Sequence, residues 1–382
     1  MAAVEIRRVP GYEDAAAMDE AVEAIFAALP AAGRIGPGMR VLLKPNLLAR
    51  HAPEKAVTTH PAVVRAVIHA VRRRGAQQIV LADSAGGPYA PAMMKGIYKA
   101  SGLWQVCEEE GVEAYTGCRS RAVPAQGVVA KRFELLEPVL DADFIINLPK
   151  LKTHVMTGAS LSIKNLFGCV PGLQKAEWHM RLPEKERFGD MLVDLWQTVC
   201  PDLAIMDGVF AMEGDGPSGG RPYPAGLLLG GQDMAQLDLA CCALLGLEPM
   251  RVPYLEAACR RGLCARAFEW DEEGGRQALE PLPGFALPES YQVGEVDFAK
   301  HAPRALRWAT PAVERWLAPR PVVVRSKCIG CGKCAEICPQ DTILLKGKAR
   351  IQSARCIRCF CCHEMCPVQA IRVRRSALLR NL

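Results

Sequence analysis

Through the first two thirds of the chain, short apolar runs alternate with longer stretches in which apolar residues recur every three or four positions. The runs read as buried strands and the stretches as amphipathic helices. Strands are expected at Met39–Leu43, Ile79–Ala82, Phe144–Ile146, Leu203–Met206 and Gly226–Leu229. Helices are expected at Ala62–Arg74, Pro91–Ala100, from Ser160 to Phe167, at Pro183–Val199 and at Met234–Leu245. The first of these helices has Thr59-His60-Pro61 as its start signal and Gly75 as its stop. Strand followed by helix, repeated, predicts an α/β body with a largely parallel sheet flanked by helices.

In a parallel sheet the carboxyl ends of the strands share one edge, so the segments after them should meet in one crevice. Those segments are Lys44-Pro45-Asn46, Asp83–Gly87, Asn147–His154, and Asp207-Gly208 with Glu213–Gly220. They would bring Lys44, Lys150, Lys152, His154 and Lys164 together with Asp83, Asp207, Glu213 and Asp215. Lys44, Lys150 and Lys152 are the expected anchors of an anionic ligand, carboxylate or phosphate. His154 is the expected proton donor, since an unperturbed imidazole titrates near ~6.5, and Asp215 is the expected acidic member. Gly214–Gly220 leads into Arg221-Pro222 and not into a helix, so it reads as a turn. No glycine-rich dinucleotide fingerprint follows a strand at the chain start, so no nicotinamide or flavin site is inferred. Cys200, Cys241 and Cys242 read as core residues, and His154 with His179 leaves a metal alternative open.

The last 62 residues follow a different pattern. Cys328, Cys331, Cys334 and Cys338 form C-x₂-C-x₂-C-x₃-C-P, and Cys356, Cys359, Cys362 and Cys366 repeat it 28 residues later. Ile329/Ile357, Glu336/Glu364 and Ile343/Ile371 keep the same offset, so the segment is an internal duplication. Two residues between thiolates allow three sulfurs to reach one cube, while the fourth cysteine serves the other cluster. Two [4Fe–4S] clusters are therefore expected, one on Cys328, Cys331, Cys334 and Cys366, the other on Cys356, Cys359, Cys362 and Cys338. Zinc sites also use C-x₂-C pairs, but the triple spacing with a proline-terminated fourth cysteine fits them poorly. Cys361 falls outside the pattern and reads as a packed spare thiol, His363 as a surface residue. Between the motifs, residues 342–351 read as a hairpin turning at Lys346-Gly347-Lys348.

Composition sharpens this division. Of 382 residues 17 are cysteine, and nine of those lie in residues 321–382. The same segment holds twelve Lys/Arg against three acids, a net of +9, which leaves −3 for the rest of a +6 chain. Each cysteine-ligated cubane would carry −2, which absorbs part of that excess, and no zinc-finger or helix-turn-helix spacing supports nucleic-acid binding. No apolar run approaches the ~18 residues of a membrane helix, and no signal-peptide pattern opens the chain, so a cytoplasmic location is expected.

The stretches "VLLKPNLL", "TTHPAVVRAV", "INLPKLKTHVMTGASLSIKNLFG", "DGVFAMEGDGPSGG" and "CIRCFCCHEMCP" together resemble the family labelled domain of unknown function three-six-two. The resemblance covers residues 38–382. It implies an iron–sulfur protein of bacteria or archaea ending in a bacterial-type two-cluster ferredoxin module, and it implies no settled reaction. Its matching polar positions are Lys44, Asn46, His60, Lys150, Lys152, His154, Lys164, Asn165, Asp207 and Asp215, with Cys361 and His363 in the tail.

The expected organisation is an α/β domain over 1–293, a helical linker over 294–320 carrying Trp308 and Trp316, and a small α+β two-cluster ferredoxin-like domain over 321–382. The expected function is an oxidoreductase that passes electrons from an external donor, such as a ferredoxin, flavodoxin or reductase, to a small anionic substrate. A non-catalytic electron carrier fused to a docking domain is the first alternative. A non-redox α/β enzyme with structural clusters is the second. Any further cofactor, the substrate and the oligomeric state are not legible.

Overall fold

A computed structural model describes residues 4–87, 89–268, 279–291 and 318–375. The linker expectation with its two tryptophans lies almost wholly outside the described residues.

The apolar runs form the middle of one sheet. Its strands are β1 (Val4–Arg8), β2 (Arg40–Lys44), β3 (Gln78–Leu81) and β4 (Glu113–Ala114) from the first part of the chain. After a separate hairpin, β5 (Ser120–Pro124) with β6 (Arg132–Leu136), come β7 (Phe144–Asn147), β8 (Lys150–His154) and β9 (Gly158–Ala159). The long strands β10 (Leu203–Glu213) and β11 (Arg221–Gly231) complete it. The order is β1-β11-β10-β7-β2-β3-β4, with β8 against β10 and β9 against β8. β10, β7, β2, β3 and β4 are mutually parallel, and β8 is parallel to β10. β11 and β1 add an antiparallel edge.

Side-chain alternation divides the core into two layers. Val41, Leu43, Ile79, Leu81, Phe144 and Ile146 face helices Ala15–Ala28, Pro61–Arg73 and Pro91–Ala100. Leu42, Val80 and Ile145 face the opposite way, toward helices Lys185–Val199, Met234–Leu245 and Pro253–Arg260. Burial on both faces is why these strands read as continuous apolar runs. Helix Pro61–Arg73 begins as its start signal predicts, with His60 Nδ1 accepting from Ala62 N at 3.2 Å and Pro61 in the first turn.

Two expected boundaries move. The strand from Leu203 does not end at Met206. It runs to Glu213 and returns as β11, because Lys150 meets Asp207 at 2.8 Å and neutralises the charge that would otherwise stop a buried strand. The segment after β7 is not a loop either: Lys150–His154 is itself a strand, entirely buried. Cys241 and Cys242 are core, whereas Cys200 is exposed, at the left-handed C-cap of helix Lys185–Val199. Strand β1 and helix Ala15–Ala28 had no sequence-level assignment. The helix is capped by Asp14, whose side chain accepts from Ala17 N.

The tail adds β12 (Arg320–Val323), paired antiparallel with β15 (Ile371–Arg374). Between them is the expected hairpin, β13 (Ile343–Lys346) with β14 (Lys348–Ile351), turning at Gly347 with φ +70°. The duplication is visible in the backbone. Left-handed conformations at Gly330, Gly332 and Asp341 recur 28 residues on at Arg358, Phe360 and Gln369.

Candidate functional site: two cysteine hollows and a lysine-lined cavity

The left-handed residues curl each C-x₂-C-x₂-C segment around a hollow. Cys328, Cys331 and Cys334 line one hollow together with Cys366. Cys356, Cys359 and Cys362 line the second together with Cys338, and Cys361 joins its wall. The sulfurs meet backbone N–H groups, which stabilise thiolate. Ala349 N donates to Cys328 Sγ at 3.4 Å and Arg358 N to Cys356 Sγ at 3.4 Å. Thr342 N donates to Cys338 Sγ at 3.4 Å, and its equivalent in the repeat, Ala370 N, to Cys366 Sγ at 3.1 Å. The Ala349 and Gly330 amides draw the Cys328 thiol below its ordinary range. Among the described residues no three His, Cys, Asp or Glu side chains close on a single metal ion. Wide thiol-lined hollows with N–H donors suit a cubane better than a closed zinc site.

The body and the tail enclose a third space, of about 710 Å³ counted out to open solvent. Its floor comes from the ends of β2 and β3. Lys44 pairs with Asp83 at 2.9 Å, both buried, and donates to Pro45 O at 2.6 Å. Asp83 also accepts from Leu47 N and Ser84 N at 2.8 Å each, which fixes both loops. Gly168 lies against this ion pair so closely that any β-carbon would collide with it.

One wall is an amide chain. Lys152 donates to Asn46 Oδ1 at 2.8 Å and to Val57 O at 2.7 Å. Asn46 Nδ2 donates to Asn165 Oδ1, and Asn165 Nδ2 to Asn147 Oδ1, both at 2.8 Å. Burial, reinforced by Lys164, pushes the Lys152 ammonium down to about 7. On the opposite wall Lys175 donates to Ser84 O, and burial brings it to about 8. Lys164, also lowered by burial, makes no hydrogen bond or ion pair among the described residues. His179 packs flat on Phe188 with centroids 4.4 Å apart, and its buried Nδ1 has no hydrogen-bond partner among the described residues.

The tail closes the cavity with Ile337, Cys361, Glu364 and Met365. Glu364 Oε1 stands 3.1 Å from His154 Nε2, outside hydrogen-bond geometry. His154 Nδ1 accepts from Met156 N at 3.1 Å, so Nε2 is the nitrogen that carries hydrogen. Burial, then Lys164, pushes His154 down to about 4. At that value the imidazole is neutral at pH 7, with Nε2 toward the Glu364 carboxylate.

Other expected residues lie elsewhere. Lys150 is sealed under Tyr12, which stacks on His60 at 3.5 Å, and its ammonium is committed to Asp207. Glu213 pairs with Arg221 at 2.6 Å, and Asp215 accepts from Glu289 N at 2.9 Å. Neither reaches the cavity, because the strand carrying them passes beyond the sheet edge before turning. That turn instead holds the tail: Asp215 O faces His363 Nε2 at 3.0 Å, Ser218 Oγ donates to Glu364 O at 2.9 Å, and Gln369 Nε2 to Ser218 O at 2.7 Å. His363 is thus buried, not a surface residue. Phe360 and Val373 join the body's own apolar core. Lys175 and Glu364 escaped the sequence reading: one sits in a helix with no strand before it, the other looked like a repeat residue.

Known proteins match these parts. The family described as "Domain of unknown function (DUF362)" matches residues 41–243, and "4Fe-4S binding domain" matches residues 321–344. A protein of Synechocystis sp. described as thylakoid-associated is 36% identical over 277 residues, 72% of this chain and 82% of that protein. None of the described helices is long and apolar enough to cross a membrane. The ferredoxin-type match, which spans Cys328, Cys331, Cys334 and Cys338, makes this an iron–sulfur protein. Its body, matched over more than half of the chain, makes it a member of the DUF362 family.

Proposed function

We propose that the protein is a two-cluster iron–sulfur oxidoreductase that passes electrons to or from a small anionic molecule in the lysine-lined cavity. The observation that carries this reading is the position of Cys361, which lies in the wall of both the second cysteine hollow and the cavity. The cluster on Cys338, Cys356, Cys359 and Cys362 would then be proximal to the ligand. The one on Cys328, Cys331, Cys334 and Cys366 would be distal, beside the exposed Cys331 where an external donor such as a ferredoxin or flavodoxin arrives. When bound, each cubane supplies one electron at a time.

The chain's own residues do the rest. Lys164 and Lys175 hold the anionic group. Lys152 and Lys175, the groups titrating near neutrality, hold and release protons at Nζ, which suits general acid–base work. His154 Nε2 faces Glu364 across 3.1 Å, a charge–dipole contact behind the cavity wall. The packed interface of Met365, Ile337 and Ala176 excludes water between tail and body. Unpaired thiols in this number imply a reducing compartment, the cytoplasm.

Iron analysis of anaerobically purified protein should give about eight irons per chain by two cubanes of four. Dithionite-reduced protein should re-oxidise faster when mixed with a protein-free anaerobic cell filtrate, and Lys164→Met should remove most of that acceleration. A filtrate without effect on the native protein would sink the enzyme reading and leave the carrier alternative.

A further inference from the structure

The cavity's charges do not balance. Four lysines and two carboxylates face it, and Lys44 with Asp83 are already a closed pair. Of the remaining cations, Lys152 is held only by neutral oxygens, Lys175 donates to a carbonyl, and Lys164 has no acceptor among the described residues. The remaining carboxylate, Glu364, is turned to His154. Cationic groups brought out of water without anionic partners are costly, and proteins keep them where a ligand supplies the missing charge. The unpartnered Nδ1 of His179, 4% exposed, adds a polar atom that only a ligand or water could satisfy.

We infer that the cavity binds a small dianion, two negative charges on oxygen as in a dicarboxylate or a phosphate monoester, held by Lys164 beside Lys152 and Lys175. This deepens the proposed function and rests on it for the ligand's role as electron partner, though not for binding itself. Lys164 is singled out because it lines the cavity beside Lys152 and Lys175 and, unlike them, donates to no acceptor among the described residues, Glu364 being the carboxylate whose charge acts on it. Four lysines against two carboxylates leave the lining at +2, so a monoanion would leave one positive charge unmatched and a neutral molecule would leave two. The tail residues Ile337, Cys361, Glu364 and Met365 line one side of the cavity, which suits a molecule of small-metabolite size.

The test is calorimetric titration of the oxidised holoprotein, with no electron donor present, using succinate, malonate, phosphoglycolate, inorganic phosphate and acetate. At least one dianion should bind tenfold or more tightly than acetate. Preference for succinate or malonate assigns dicarboxylates; preference for phosphoglycolate or phosphate assigns phosphates. Lys164→Met and, as a second variant, Lys175→Met should each weaken that dianion at least tenfold, with cluster absorbance unchanged as the folding control. No dianion exceeding acetate would overturn the inference, independently of any variant. So would full dianion affinity in both variants. A dianion that binds but leaves reduced clusters unoxidised would uphold the site while removing the redox reading.

Discussion

At the scale of single residues, lysines in this molecule do two different jobs that sequence position alone does not separate. Lys150 and Lys152 are two apart on one strand, yet Lys150 is neutralised by Asp207 at 2.8 Å while Lys152 has only carbonyl-type oxygens. The difference comes from the β10 register, which shifts between the residues facing Lys150 and Lys152. It has a thermodynamic consequence. The folded-state value of Lys152 near 7 lies below its ordinary 10.5, with burial first and then Lys164 and Lys150 pushing it down and Glu364 and Asp83 pulling it up. The unfolded chain therefore binds more protons between those values, and this residue's contribution to stability rises with pH across that window. In urea titrations from pH 6 to 10, the native protein should gain stability relative to Lys152→Met, with the gain beginning near pH 7. The sign reverses for binding: a dianion needs charged lysines, so its affinity should fall as pH rises through about 7 and then about 8.

At the scale of elements, the turn between β10 and β11 is the fastener between body and tail. Its glycines are there for approach. A β-carbon at Gly219 would lie 2.7 Å from His363 Cε1 and 2.8 Å from Asp215 O. Gly219→Val should cost about 1–3 kcal/mol, the usual range for overpacking. The loss should appear first as a lowered melting midpoint of cluster absorbance, with the body's far-UV circular dichroism following later. The glycine-rich run was legible as a turn, but its partner was not, because that partner lies about 150 residues further along. The same limit explains the other differences. Apolar runs and caps located the central strands and most helices, since those signals are local. The strand Lys150–His154, the length of β10 and the buried His363 depend on contacts made across the chain, so a charged or polar residue there looked exposed. The cysteine spacing was the most informative local signal, because it states its own geometry.

At the scale of the whole molecule, the two hollows differ in surroundings. The second shares a wall with the cavity, whereas the first meets solvent through Cys331 and an exposed apolar patch of Ile329, Leu344 and Leu345. Exposed Lys327, Lys333, Lys346, Lys348 and Arg350 stand within five positions of these residues along the chain. Such basic residues steer an acidic carrier, and salt screens them over a Debye length of ~8 Å at physiological strength. The rate of cluster reduction by a reduced acidic ferredoxin should fall several-fold between 50 and 500 mM salt. Lys346→Glu with Lys348→Glu should lower it further at low salt, leaving dianion affinity unchanged in calorimetry.

The cavity has no wall of its own on the side of Ile337, Cys361, Glu364 and Met365; that side is borrowed from the cysteine-rich tail. On the proposed reading, a tail that needs its clusters to fold would, when iron is scarce, take this wall of the cavity with it as well as the route for electrons.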